Sequence, residues 1–156
     1  MSLPSSQAAD NRRAVLRVTT LEVLKALRSL AQMHEGDMFA LLIFTSIWSA
    51  NGEHLIGDER YTGLRTIGPD STSTPITYDQ LQLSLGVPRD ILDRYLAMFI
   101  EVGLVEQVPC GLVVPGAVFT SVEMMGGASE AYDRIIGLVS ALQSAGLALG
   151  EETPKV

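Results

Sequence analysis

The stretch from Ile76 to Pro115 constrains this chain most, because two helix starts, a glycine turn and a change of hydrophobic period follow one another there without a gap. Thr77 and Gln80 have the spacing of a capping box, in which each side chain satisfies a backbone amide that the first helical turn leaves unpaired. They predict a helix over Tyr78 to Leu85, with Leu81 and Leu85 turned inward. Gly86 ends it. Pro88 suits the start of the next helix, where its missing N–H would have had no partner. Leu92, Leu96 and Phe99 then recur at helical spacing in a segment running from Arg89 to Val102. Beyond Gly103 the period drops to two. Val105 to Val108 and Leu112 to Val114 flank Pro109-Cys110-Gly111, which predicts a hairpin with glycine at its turn.

A short helix, a tight turn, a second helix and a two-stranded ribbon are the skeleton of a winged helix-turn-helix. The expected fold class is therefore mainly α with a small β-hairpin, a winged helix-turn-helix over residues 37–115 flanked by N- and C-terminal helices. At 156 residues and 47% apolar composition the chain has enough material for one real core. Residues 1–11 are polar and expected to be disordered. Residues 12–36 form an amphipathic helix on the spacing of Leu16, Val23, Leu27 and Leu30. Thr19 and Glu22 make a second capping pattern, which starts that helix at Thr20 and leaves Ala14 to Val18 as a separate lead-in.

From Met38 to Trp48 nearly every residue is apolar, as expected of a helix covered on all sides, and Asn51-Gly52 supplies a left-handed stop. Residues 53–75 read as a loop insertion with β-like pieces at His54 to Ile56 and Leu64 to Ile67, tied down by Tyr61, Leu64 and Ile67. Residues 116–128, containing Gly126-Gly127, read as a linker. Ser129 then caps a C-terminal helix over 129–150, in which Ile135, Leu138, Leu142, Ala145 and Leu149 alternate at three and four. That seam needs a cover, either the N-terminal helix of the same chain or a second copy, and both can hold together.

The segment ITYDQLQLSLGVPRDILDRYLAMFIEVGLVEQVPCGLVV resembles the winged helix-turn-helix of bacterial transcriptional regulators of the MarR and GntR type. The resemblance rests on Leu81, Leu85-Gly86-Val87, the pair Arg94 and Leu96, and Gly103-Leu104-Val105. It implies that the helix from Arg89 enters a DNA major groove while the hairpin lies near phosphates. Arg89, Asp90, Asp93 and Arg94 then fall where base-contacting side chains lie, with Thr77 at the start of the preceding helix and Arg12 and Arg13 assisting from an N-terminal arm. The resemblance also implies a homodimer built through the terminal helices.

The charges depart from that pattern. The chain carries a formal −7, so any contact with a polyanion needs a local basic patch. Projected at about 100° per residue, the polar side of the second helix holds Asp90, Asp93, Arg94, Ala97 and Glu101 and is net acidic, and Glu106 is the hairpin's only charge. Ile91, Tyr95, Met98 and Val102 form an extra apolar stripe beside the core stripe. Two readings follow: a dimeric DNA-binding regulator, or a winged helix that contacts a protein through its acidic helix and this stripe. Arg17, Lys25 and Arg28 share one side of the N-terminal helix, where a solvated face is the simpler reading.

Enzymatic readings find no motif. No G-x-S-x-G, P-loop or G-x-G-x-x-G occurs, and His34 and His54 read as surface histidines without metal-binding spacing. A single cysteine, Cys110, excludes an intrachain disulfide and reads as an incidental thiol at the hairpin tip. No apolar run has membrane-spanning length, and a cytoplasmic protein without cofactor or metal is expected.

Overall fold

The computed structural model describes residues 10–148. Helix α1 (Arg12–Ala31) runs without a break. The cap expected at Thr19 does not form: its hydroxyl donates to the Val15 carbonyl at 2.8 Å, and that of Thr20 to Leu16 at 2.8 Å, so both hydroxyls are satisfied inside a continuing helix. Asp10 and Asn11, expected to be disordered, are held by contacts. Asp10 pairs with Arg12 at 2.8 Å, and the Asn11 amide donates to the Gly146 carbonyl at 2.7 Å. Residues 1–9 lie outside the described residues.

A 3-10 turn, Gln32–His34, leads into α2 (Met38–Gly52), whose N-cap Asp37 accepts from the Ala40 amide at 3.0 Å. Ala40, Leu41, Ile43, Phe44 and Ile47 are buried, but Phe39, Leu42 and Trp48 are exposed. The helix is thus covered on one side and open on the other, against the expectation of full burial. No left-handed stop forms at Asn51-Gly52 either, because Gly52 has a φ of −114° and stays in the helix.

Asn51 has a different task. Its buried amide donates to the carbonyls of Thr74 at 2.9 Å and Leu112 at 3.0 Å, and its Oδ1 accepts from the Val114 amide at 2.9 Å. A buried amide left without partners would be costly, so these bonds fix where the chain between 53 and 75 must return. That insertion holds 3-10 turns at Glu53–Leu55, Glu59–Tyr61 and Asp70–Thr72 in place of the β-like pieces. Leu64 and Ile67 are exposed, and the loop is anchored by polar groups instead: Asn51 at Thr74, and Asp70, whose Oδ1 accepts from the Gly116 amide at 2.8 Å.

Helices α3 (Tyr78–Leu85) and α4 (Arg89–Glu101) form as expected. Thr77 and Gln80 close the capping box, and Gly86 ends α3 in the left-handed region at φ 63°. Strands β1 (Glu106–Val108) and β2 (Gly111–Val113) pair antiparallel, with Gln107 opposite Leu112. Ile76 bridges Leu112 on the other edge, so the hairpin lies beside a third extended segment. Gly111 permits this: it has a φ of 142°, and a Cβ there would run into the Ile76 carbonyl. The core gathers Ile43, Phe44 and Ile47 of α2, Leu81 of α3, Leu92, Leu96 and Phe99 of α4, and Val105, Leu112 and Val114 around the hairpin.

Residues 116–128 are not a linker. Gly116–Thr120 is a 3-10 turn whose Phe119 ring lies 5.4 Å from Trp48 and 6.3 Å from Phe44. Ser121, not Ser129, caps α5 (Val122–Ser144), accepting from the Met124 amide at 3.2 Å. Gly126 and Gly127 sit inside this helix. Gly127 lies close against Met33, so that a Cβ there would overlap the Met33 sulfur and that side chain would have to move. Helix α5 runs antiparallel to α1, with Ser29 donating to Glu130 near one end and Asn11 meeting Gly146 at the other. Leu138 and Leu142 lie half-buried on the side turned to α1, whereas Ile135 is exposed. Leu149 falls outside the described residues.

Candidate nucleic-acid interface

The solvent side of α4 presents Arg89, Asp90, Asp93 and Arg94 as expected, all exposed. They are not equally free. The Arg89 guanidinium pairs with Asp79 of α3 at 3.3 Å and lies 5.0 Å over the Tyr78 ring, so the first cation of the helix is already engaged. The Tyr78 hydroxyl donates to the Arg89 carbonyl at 3.4 Å, and its phenol is pushed above its ordinary value chiefly by the nearby Asp93 carboxylate. Arg94 makes no ion pair among the described residues and is the cation that this face offers outward.

Thr77 lies at the foot of α3, where its hydroxyl accepts from the Gln80 amide at 3.2 Å; its role there is the cap. Arg12 and Arg13 are not brought to this surface. They stand at the far end of α1, about 30 Å of helix from the turn that meets α4, and Arg12 holds the Asp10 carboxyl at about 2. The expected assistance of an N-terminal arm is therefore replaced by a distant helix end. The hairpin contributes no cation, and Cys110 is exposed at its tip.

The apolar stripe of α4 is half covered by the chain itself. Tyr95 is half-buried, with its ring 6.3 Å from Phe39 and 6.3 Å from Phe99, and its hydroxyl donates to the Asp37 carboxylate at 2.6 Å. That bond, followed by the one from the Ala40 amide, holds the Asp37 carboxyl below its usual range, and in turn raises the Tyr95 phenol. Ile91 is also half-buried, but Met98 is 43% and Val102 64% exposed. Asp37, Phe39, Ile91, Arg94, Tyr95 and Met98 line an open groove of about 400 Å³ between the start of α2 and α4.

His34 is not a surface histidine. Its ring packs 5.2 Å from Phe44 and 6.0 Å from Phe99, and its Nε2 is buried without a hydrogen-bond partner among the described residues. Burial pushes its pKa below 6.5, against a smaller opposing effect of Asp37. The signal was present in the sequence, since His34 continues the helical spacing of Leu27 and Leu30. Nothing local announced that Asp79 and Tyr78 would hold Arg89, because that contact joins two helices across a turn. His54 is exposed, its Nδ1 at 3.3 Å from the Thr74 hydroxyl.

Among the described residues no group of three or more His, Cys, Asp or Glu side chains is placed to hold a metal ion. In the same residues no helix is long and apolar enough to cross a membrane. No family model, curated protein or solved structure matches the chain.

Proposed function

We propose that the chain is a small transcriptional regulator whose α3, Gly86 turn, α4 and hairpin act as a winged helix-turn-helix that reads DNA through the outer side of α4. The observation that carries this reading is the open first half of α4, where Arg94 stands exposed, without an ion pair among the described residues, beside two exposed carboxylates, Asp90 and Asp93. An arginine in a major groove binds guanine in bidentate fashion, and an aspartate accepts from the cytosine amine, so a mixed-charge helix has a use in base readout. Its net acidity works against sequence-independent affinity, which comes from cations neutralising phosphates. The regulator of this reading is cytoplasmic and needs no cofactor. Selection from a pool of random duplexes at low salt supplies the test. A recovered sequence should be bound by the native chain and at least tenfold more weakly by Arg94→Ala, with affinity falling as salt rises.

A second reading, a protein-interaction module, is favoured by Met98 and Val102, which lie uncovered beside the carboxylates of α4. A duplex pool that yields no retained sequence even at low salt overturns the first reading in favour of the second.

A further inference from the structure

The hairpin has one covered edge and one open edge, and its hydrogen bonds fix which groups face out. The Leu112 amide donates to the Ile76 carbonyl at 2.8 Å, and the Leu112 carbonyl accepts from the Ile76 amide at 3.1 Å. Both main-chain groups of Leu112 are thereby turned away from β1. Gln107 stands opposite Leu112, so the two form a non-hydrogen-bonded pair of the antiparallel ladder. The N–H and C=O of Gln107 therefore point to the far side of β1, where no described segment takes them up.

Beside this edge lies a groove of about 310 Å³ between α4 and the hairpin. Leu96, Ala97 and Ile100 give it apolar surface, Ile100 being 41% exposed, and Gln107 lines it on the same face of the hairpin as Leu112. Asp93 is the one charged side chain that lines it, exposed and without an ion pair among the described residues. Arg89 reaches the Tyr78 ring nearby but is paired with Asp79. From Tyr95 through Val114 the sequence holds no Lys or Arg, and its only charges are Glu101 and Glu106. The edge thus calls for an extended backbone, the groove for an apolar side chain, and Asp93 for a cation.

We propose that β1 is the docking edge for an extended cationic peptide, which adds antiparallel to it as a further strand. The central residue of the peptide exchanges two main-chain bonds with Gln107 and, standing directly opposite, turns its side chain to the same face, over Ala97 and Ile100. Residues two positions to either side share that face, and a Lys or Arg there meets Asp93. A second copy is a poor occupant, because its β1 offers Glu106 and no cation. A DNA strand would bring phosphate to the Asp93 carboxylate. The site is separate from the groove at Phe39 and Tyr95 and uses neither Arg94 nor Met98, so it stands whether or not α4 reads DNA.

The probe is a blocked pentapeptide, Lys-Thr-Val-Thr-Lys, titrated to millimolar concentration into the isotope-labelled full chain and followed by amide resonances. The Gln107 amide signal should move and its hydrogen exchange should slow as the peptide binds. The same peptide N-methylated at its valine loses the pairing with Gln107 and should bind at least tenfold more weakly. A peptide with glutamate in place of both lysines should not bind, and Asp93→Asn, with unchanged circular dichroism, should weaken the lysine peptide about threefold. A Gln107 amide that does not respond to the lysine peptide overturns the proposal, as does equal affinity for the N-methylated or the glutamate peptide. Protection of Gln107 that grows with protein concentration in the absence of peptide puts a second copy on the edge and overturns it as well. So does a low-salt duplex that moves the Gln107 signal where the peptide does not.

Discussion

The hydroxyl of Tyr95, midway along α4, donates at 2.6 Å to Asp37, the residue that caps α2. One carboxylate thereby serves two elements, since its other oxygen accepts from the Ala40 amide at 3.0 Å. Tyr95→Phe should cost about 1 kcal/mol in urea unfolding, the net value of one such bond, and Asp37→Ala should cost more because the cap is lost as well. The acid limb of stability carries the same signature. The folded Asp37 carboxyl titrates below its usual 3.8, so its contribution is complete above that value and is lost as pH falls further. Asp37→Asn should weaken this acid dependence.

His34 gives a second, separate pH dependence. Its folded pKa lies below 6.5, so the unfolded chain takes up the proton first. The stability gained from a neutral, packed imidazole is complete above pH 6.5 and declines as pH falls below it. His34→Phe should flatten the unfolding free energy between about pH 5 and 7. An equal slope in native and His34→Phe chains would show that the buried ring is not the titrating group.

Asn51→Ala removes three hydrogen bonds at once and strands a buried amide at Val114. An expected loss of about 3 kcal/mol or more follows from leaving such groups unpaired, visible as a lowered thermal midpoint. Hydrogen exchange should quicken at Thr74 and Val114 together, because the same side chain holds both segments.

Glycine substitutions separate space from conformation. At Gly126, inside α5 with nothing near its missing Cβ, alanine should stabilise by about 0.5 to 1 kcal/mol. At Gly127, one residue on, alanine should gain less than at Gly126, because Met33 must first move out of the space. At Gly111, alanine meets both a positive φ and the Ile76 carbonyl, and the hairpin should lose most. A linker at 126–127 would show no gain at Gly126.

Local chemistry explains what the sequence disclosed. Thr77 with Gln80, Gly86, and the spacing of Leu92, Leu96 and Phe99 each act within a few residues, and each is found where expected. The failures lie where a distant partner decides. Thr19 and Glu22 match a capping box by spacing, but the Val15 carbonyl is there to receive the hydroxyl. Gly126-Gly127 reads as flexible until Met33 is seen against it. Asn51 reads as a helix stop, although its partners lie 23 to 63 residues away. The outer face of α4 was legible by residue, but the engagement of Arg89 and the half cover over Tyr95 were not, since both depend on how α2 and α3 lie against it.

The near absence of buried residues in α1 and α5 bears on how the molecule lives in solution. In a dilute chain the head has its own core, whereas the helical arms have little to hold them and should exchange their amides first.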